Sequence, residues 1–184
     1  MKKRFIEEEE LLEEGFRLAV EIFDSGFRPD FIVGIWRGGS TVGIYVQECL
    51  QYLGVKTDHI AIRTSYRGQP SYGELIDNPE RIRVHGLQYL FENLDREDKL
   101  LIVDDVLSSG YNIEAVVQRL ERKCKRNMPK EVRVAVPTTS RIKIRVVERP
   151  IISCTPLKTG WCYPTSYKDS LARRSANTSP RSAS

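Results

Sequence analysis

The stretch Leu100-Leu-Ile-Val-Asp-Asp-Val-Leu-Ser-Ser-Gly110 guides the interpretation of the rest of the chain. Four apolar residues end in two carboxylates, and small hydroxyl residues and a glycine follow. Backbone amides at the start of a helix bind anions, because the helix dipole adds a partial positive charge there. Ser108 and Ser109 add hydroxyl donors, and Asn112 adds an amide donor. The pattern therefore predicts a phosphate site between a buried strand and a helix.

The two acids of this stretch, Asp104 and Asp105, require a different partner, because a carboxylate repels a phosphate. They suit the hydroxyl groups of a ribose, or a magnesium ion that keeps several of its waters. The structural alternative is that Asp105 only caps the following helix, since Asp is favoured at helix starts. A phosphorylated sugar would use the phosphate loop and the acid pair together.

Apolar patterns on both sides of the stretch predict alternating strands and helices. An amphipathic helix runs from about Phe5 to Phe23, behind an acidic first turn, and ends near Gly26. Further strands are predicted at 31–36, 59–62, 81–84, 100–103 and 132–136, and further helices at 41–53, 87–94 and 109–125. Strands that alternate with helices imply a parallel, helix-flanked sheet. We therefore predict an α/β fold.

Three loops begin at the carboxyl ends of predicted strands, which is where parallel sheets bind ligands. The first loop reads Trp36-Arg-Gly-Gly39, which by itself is a common turn. The second, 64–79, is polar and rich in glycine and proline, and so long a loop is usually functional or mobile. The third contains the acid pair. We expect the three loops to form one site.

The Asp104 stretch resembles the motif with which type I phosphoribosyltransferases bind 5-phosphoribosyl-1-diphosphate (PRPP). The resemblance implies that Asp104 and Asp105 hold the ribose 2- and 3-hydroxyls, and that a magnesium ion binds there, directly or through water. It also implies that the following loop holds the 5-phosphate. The residues implied to contact PRPP in this loop are Val106, Leu107, Ser108, Ser109, Gly110, Tyr111 and Asn112.

The Trp36 loop resembles the pyrophosphate loop of the xanthine-guanine and hypoxanthine enzymes, in which a basic residue precedes two glycines. The resemblance implies that Trp36 lies against the substrate and that Arg37 lies among the diphosphate oxygens. The amides of Gly38 and Gly39 would point at the same oxygens. Together with the Asp104 motif, this loop makes the resemblance specific.

The segment from Arg63 resembles the flap of the same enzymes, in which a Ser-Tyr pair, here Ser65 and Tyr66, closes over the reacting centre. The run from Arg83 through Pro129 resembles a bacterial group of hypoxanthine phosphoribosyltransferases. We interpret His85 as structural, because it follows a predicted strand and no carboxylate partner can be named for it.

The resemblance implies transfer of the 5-phosphoribosyl group from magnesium-PRPP to a 6-oxopurine, hypoxanthine or guanine, with release of diphosphate in purine salvage. One departure concerns Ser108, which stands where the 6-oxopurine enzymes carry an aspartate facing N7 of the base. The alternative is a PRPP-binding regulator or a catalytically impaired remnant. The resemblance also implies a homo-oligomer.

The motifs can be followed over residues 5–136, and the sequence then changes character. We predict a core at 1–137, an altered hood segment at 138–169 and a disordered basic tail at 170–184. Read two nucleotides later, codons suitable for Ile152 to Lys168 can encode F-M-H-A-T-E-D-W-L-V-L-P-H-E-L, which resembles the missing hood. We therefore hypothesise a frameshift near Val136.

Composition excludes several other classes of protein. No run of eighteen apolar residues is present, and the N-terminus lacks the apolar stretch of a secretory signal, so we expect a soluble, cytoplasmic protein without membrane contact. The four cysteines form no C-x-x-C pair. Residues 138–184 hold 9 Lys/Arg against 2 Asp/Glu. This basic segment has neither interleaved aromatics nor the spacing of a DNA-binding motif, so we expect no nucleic-acid partner.

Overall fold

The computed structural model describes residues 4–5, 7–66, 82–107, 110–139, 151–156 and 161–162. The strands are β1 (Arg4–Phe5), β2 (Phe31–Trp36), β3 (Asp58–Tyr66), β4 (Ile82–His85), β5 (Lys99–Val103), β6 (Val106–Leu107), β7 (Glu131–Thr139), β8 (Ile151–Pro156) and β9 (Trp161–Cys162). The α-helices are α1 (Glu8–Asp24), α2 (Gly38–Tyr52), α3 (Gln88–Asn93) and α4 (Tyr111–Cys124), and a 3-10 turn, Lys125–Asn127, follows α4.

The main sheet has the strand order β4-β3-β2-β5-β7-β6, and β8 also pairs with β7. Every described pair in this sheet is parallel except β3 with β4. The parallel, helix-flanked α/β sheet predicted from the sequence is thus confirmed. The antiparallel direction of β4 was not predicted, because a local apolar pattern does not indicate the direction of a strand relative to its neighbour.

Helices cover the sheet on both faces, each over its own apolar cluster. One face packs against α1 and α2, whose buried side chains include Leu18, Ile22 and Val46. The other face packs against α3 and α4, whose buried side chains include Leu90 and Leu120. Alternate residues of β5 serve the two faces, as the two-residue period of a strand requires. The continuous apolar run in β5 is therefore explained by burial on both sides.

The observed elements differ from the predicted ones mainly at their ends. β2 has the predicted bounds, whereas α2 begins at Gly38 instead of residue 41. β3 extends to Tyr66, so residues 64–66 are strand and not loop, and the rest of the predicted loop lies outside the described residues. β7 extends past Val136 to Thr139.

The chain changes direction within the sheet between β2 and β5. From β2 it proceeds to β3 and β4 on one side, and from β5 it proceeds to β7 on the other side. In open α/β sheets, ligands bind in the crevice beyond the carboxyl ends of strands at such a switch point. The turns that leave β2 and β5 are therefore the first place to search for a functional site. Among the described residues, no helix is long and apolar enough to cross a membrane.

Candidate active site

The turn after β2 lies directly against the acid pair after β5. A methyl group built on Gly38 would lie 2.0 Å from Oδ2 of Asp105, and one built on Gly39 would lie 2.6 Å from the carbonyl oxygen of Val103 and 2.8 Å from Cα of Asp104. No side chain can occupy either position without moving the acid pair or its strand. The two glycines thus permit the two turns to approach each other closely, a role that the sequence analysis did not foresee.

Both glycines belong to the first turn of α2, whereas we had expected them to lie in a separate loop before the helix. Arg37 is the residue before the helix, and the Trp36–Arg37 peptide bond is cis. The positive charge of Arg37 acts on the Asp105 carboxylate and lowers its pKa in part. The side chain of Trp36 is 55% exposed. The basic residue and the start of α2 therefore face the same crevice as the acid pair.

The acid pair is held at the end of β5 by backbone contacts. The amide of Asp104 donates to the carbonyl of Ala135 on β7, at 3.2 Å, which extends the sheet pairing one residue beyond β5. The amide of Asp105 then donates to Oδ1 of Asp104, at 2.9 Å. The Asp104 side chain is buried, and Asp105 is partly buried. Asp105 lies six residues before the start of α4, so it does not cap that helix.

Burial, together with the charge of Asp105, raises the pKa of Asp104 well above its usual value. Burial also raises the pKa of Asp105, although its hydrogen bond with Asp104 and the charge of Arg37 oppose the rise. Two buried carboxylates in contact are costly unless a cation, a proton or hydroxyl donors neutralise them. The pair is thus suited to a divalent cation or to a diol.

The donor set fits magnesium. Among the described residues, no group of three or more His, Cys, Asp or Glu side chains could hold a metal ion. Asp104 and Asp105 instead offer two adjacent carboxylates. Magnesium is commonly held by one or two carboxylates, several waters and the phosphates of the substrate. Such an ion would lower the cost of bringing a diphosphate near the acid pair.

The predicted 5-phosphate loop is described at its two ends. Val106 and Leu107 form β6, and the Leu107 side chain is buried in the core, which leaves only its backbone for a ligand. Ser108 and Ser109 lie outside the described residues. Gly110 precedes α4 with a φ of 76°, a left-handed conformation that favours glycine. The helix start predicted from the sequence is therefore present, with Tyr111 and Asn112 as its first residues.

The predicted flap residues Ser65 and Tyr66 end β3, on the same sheet edge as Trp36. In register, Trp36 pairs with Arg63, so Ser65 lies two residues further along β3. Its hydroxyl and Nε2 of His85 are 2.9 Å apart, which joins β3 to β4. The bond gives His85 a partner that the sequence did not indicate, and its structural role stays a prediction.

Three residues that support the site were missed by the sequence analysis. A methyl group on Gly34 would lie 2.7 Å from Cα of Ser40 and 2.9 Å from Nε2 of His59. The buried hydroxyl of Ser40 donates to the carbonyl of Gly34, at 3.3 Å. These contacts fix the start of α2 against β2. A glycine within a strand is a known sign of such close approach, so Gly34 could have been recognised.

The acid pair, whose chemistry suits a cation or a diol, lies against the start of α2 and precedes the start of α4 in the chain. Amides at the start of α2 and of α4 favour anions, and Arg37 adds a full positive charge. A molecule with phosphate at both ends and hydroxyl groups between them matches this order of groups. The site can therefore stabilise negative charge that develops at one end of such a molecule.

Several solved structures have a fold similar to that of this chain. A hypothetical protein from Neisseria gonorrhoeae with bound ppGpp has 19% sequence identity and a TM-score of 0.67, and the match covers 95% of this chain and 96% of that chain. A purine phosphoribosyltransferase from Pyrococcus horikoshii has 20% identity and a TM-score of 0.62, with 90% and 95% covered. The xanthine-guanine-hypoxanthine phosphoribosyltransferase of Helicobacter pylori has 14% identity and a TM-score of 0.62, with 94% and 99% covered.

Comparison with curated protein sequences gives no match. The family model of the phosphoribosyl transferase domain matches residues 6–170, which extends beyond the 5–136 over which the motifs could be followed. This match includes the turn after β2, the acid pair and the start of α4. The chain therefore belongs to the phosphoribosyltransferase family.

Proposed function

We propose that the chain transfers the 5-phosphoribosyl group of PRPP to a 6-oxopurine base, hypoxanthine or guanine, and releases diphosphate. The observation that carries this proposal is the contact between the start of α2 and the acid pair, in which Gly38 leaves room for Asp105. Diphosphate on one side and ribose on the other would meet at this contact. Membership in the family supports the reaction class.

Each residue of the crevice has a role in this proposal. Asp104 and Asp105 would accept hydrogen bonds from the ribose hydroxyls and fix the position of C1, which is a positioning contribution. Arg37 and the amides of Gly38 and Gly39 would stabilise the charge that builds on the departing diphosphate. Magnesium, held by the acid pair directly or through water, would neutralise the diphosphate oxygens. Tyr66 and Ser65 would help to exclude water from the reacting carbon.

The choice of a 6-oxopurine rests on similar proteins and not on a described contact. The Pyrococcus horikoshii protein is a purine phosphoribosyltransferase, and the Helicobacter pylori protein acts on xanthine, guanine and hypoxanthine. Ser108 lacks the carboxylate with which the 6-oxopurine enzymes face N7. We propose that a purine can react without that group, because the proton that the base loses when its nitrogen bonds to C1 can pass to water or to the departing diphosphate.

The C-terminal third of the chain carries a separate proposal. We propose that residues 138–169 take the place of the hood that would bind the base, that 170–184 form a tail, and that a frameshift near Val136 produced both. Sequencing the gene across this codon tests the idea. Codons between Val136 and Lys168 that cannot encode the hood-like peptide in the shifted frame would refute it.

Two further expectations belong to the same proposal. A cytoplasmic location suits an enzyme of nucleotide salvage, and the described residues contain no helix that could cross a membrane. A homo-oligomer is expected from the family resemblance. It is supported by an exposed apolar surface on α1 and α2, where Phe16 is 41% and Tyr52 is 90% exposed.

The second candidate is a PRPP-binding regulator, or an enzyme that has lost base recognition. It is favoured by Ser108 and by the altered sequence after Val136, because both concern the half of the site that would hold the base. The acid pair and the start of α2 are common to the two candidates. They differ only in whether bound PRPP reacts.

The test is diphosphate release from magnesium-PRPP, with hypoxanthine, guanine, xanthine and adenine offered separately. We expect release with hypoxanthine or guanine and little with adenine. Calorimetric binding of PRPP without release from any base would favour the regulator. The absence of both binding and release would refute the two candidates together.

A further inference from the structure

A cavity of about 800 Å³ lies between β4 and α4. Tyr111 is the one lining residue that also belongs to the predicted PRPP-binding loop, and none of the described lining residues belongs to the turn after β2 or to the acid pair. Its volume is within the range of small-molecule pockets. The residues that line it are Ile82, Arg83, Val84 and His85 on the strand and Tyr111, Glu114, Ala115, Gln118, Arg119 and Arg122 on the helix.

Three guanidinium groups line this cavity from two elements. Arg83 belongs to β4, and Arg119 and Arg122 belong to α4. Within the described part of the chain, none of the three forms an ion pair with a carboxylate. Like charges that share a cavity repel each other. An anion placed between them would be attracted to all three and would offset this repulsion.

One acid, Glu114, lines the cavity with them. Its carboxylate accepts a hydrogen bond from Nε2 of Gln118, at 3.1 Å. Gln118 in turn accepts hydrogen bonds from Arg122, at its carbonyl and at Oε1, at 3.3 and 3.2 Å. The polar side chains along this flank of α4 are thus ordered relative to one another, and three positive charges stand against one negative charge.

A simpler explanation is that basic residues complement the dipole at the carboxyl end of a helix. This explanation accounts for Arg122 and Lys123, which lie in the last turn of α4. It does not account for Arg83, which lies on a strand, or for Arg119, which lies before that turn. The helix dipole therefore does not explain why three exposed arginines from two elements line one cavity.

We propose that this cavity is a second anion site, which binds a small molecule with two or more linked phosphate groups. Guanidinium groups bind phosphate oxygens in pairs, and three of them suit a chain of phosphates better than a single one. A bound chain would bridge α4, which begins beside Gly110, and β4, which is tied to Ser65 through His85. The ligand would thereby stabilise both elements that flank the candidate active site.

The test is calorimetric titration of inorganic tripolyphosphate into the full chain that carries Arg37→Gln, which weakens the proposed diphosphate site. We expect binding to persist in this variant. The further changes Arg119→Gln and Arg122→Gln should weaken it at least about tenfold, because hydrogen bonds to charged groups are lost. Arg83→Gln, on the other wall, should weaken binding as well.

The matched control is Lys123→Gln with Lys125→Gln, which removes the same amount of charge from the same end of α4 at residues that do not line the cavity. Binding should stay within about twofold, because exposed charges outside the site are screened by salt. Equal losses in the two double variants, or no binding in the Arg37→Gln chain, would overturn the proposal. Circular dichroism spectra verify that each variant is folded.

Nucleoside triphosphates and inorganic polyphosphate share the required chemistry. ATP or GTP that binds more tightly than tripolyphosphate, and loses affinity in Arg83→Gln, would identify a nucleotide as the ligand. Equal affinities would identify the phosphate chain alone. Because binding alone is measured, failure of this proposal leaves the proposed transfer reaction untouched, and failure of the transfer reaction leaves the anion site untouched.

Discussion

The turns after β2 and β5 meet at one point of the sheet but are built differently. The first is short: α2 begins at Gly38, directly after Arg37, and its first residues lack side chains. The second is longer and carries two carboxylates, a short strand and the left-handed Gly110 before α4 begins. The helices that follow cover opposite faces of the sheet. The charged turn therefore fits against the first turn of α2 only because Gly38 and Gly39 have no side chains.

The largest effect should come from Gly38→Ala, because the added methyl group would lie 2.0 Å from Oδ2 of Asp105. Either the acid or the first turn of α2 must move. We expect kcat/KM for diphosphate release to fall about 100-fold, as for other displacements near 1 Å in a reacting site. Steady-state kinetics measure it. Gln51→Ala, an exposed change at the other end of α2, serves as control, and an equal loss there would contradict this account.

A double variant tests whether the two turns depend on each other. Asp105→Gly removes the atoms that the new methyl group would meet. Gly38→Ala should therefore destabilise the wild type by about 1–3 kcal/mol and the Asp105→Gly chain much less, because residues in contact are not additive. Urea unfolding of the four chains measures this coupling. Additive changes would show that the contact does not control the fit of the two turns.

The acid pair should lower the stability of the fold although the transfer reaction requires it. Burial raises the pKa of Asp104, so its proton is held more tightly in the folded state than in the unfolded state. The contribution of Asp104 to stability is then most favourable below its usual pKa and is lost as pH rises through the raised value. At pH 7, Asp104→Asn should increase the free energy of unfolding by about 1–3 kcal/mol and abolish transfer.

Urea unfolding at pH 5 and pH 7 measures the free energy of unfolding of the wild type and of Asp104→Asn. The increase in the free energy of unfolding caused by Asp104→Asn should be larger at pH 7 than at pH 5. At pH 7 the wild type either buries a charged carboxylate or protonates it, and both cost free energy. Asp95→Asn makes the same substitution at an exposed acid and is the control. If the Asp104→Asn chain were less stable than the wild type at pH 7, the burial of the Asp104 carboxyl group would not destabilise the fold.

The smallest effect concerns His59, which packs between β2 and α2. Nε2 of His59 is buried with no hydrogen-bond partner among the described residues, close to Gly34 and Gly43. Burial lowers the pKa of His59, although Asp58 opposes this in part. The unfolded state therefore binds the proton more readily, and stability falls as pH drops below about 6.5. His59→Gln should remove less than about 1 kcal/mol of this fall, since partial exposure screens the charge.

The other histidine provides the control. His85 is exposed and bonded to Ser65, so His85→Gln makes the same substitution outside the buried site. Unfolding midpoints in urea at pH 5.5 and 7.5 make the comparison. Identical profiles for wild type and His59→Gln would assign the acid dependence to other groups.

The sequence predicts the central strands well and their surroundings less well. β2 was predicted with its observed bounds, because its apolar run is bounded by turn residues and is buried on both faces. The start of α2 was placed three residues too late, because glycine is a poor helix former and was interpreted as loop. The close approach of Gly38 to Asp105 depends on tertiary packing, which no local pattern encodes.

The same reasoning explains the other differences. β3 continues to Tyr66 because the antiparallel β4 pairs with its end, a long-range partner that a local pattern cannot indicate. The acid pair was selected from its residue types and spacing and from the resemblance, and its role stays a prediction. The burial of Asp104 could not be read from that pattern, because it depends on the packing of the whole sheet. Arg83 and Arg119 carry no local signal, because they share a cavity only after folding.

Calorimetric binding of magnesium-PRPP tests most directly whether the turns after β2 and β5 form one site. The comparison is with the two halves of this molecule, ribose 5-phosphate and magnesium-diphosphate. If the turns after β2 and β5 bind opposite ends of one molecule, PRPP should bind at least about tenfold more tightly than either half. Gly38→Ala should weaken diphosphate more than ribose 5-phosphate. PRPP that binds no more tightly than its better half would contradict the claim that these two turns form one site.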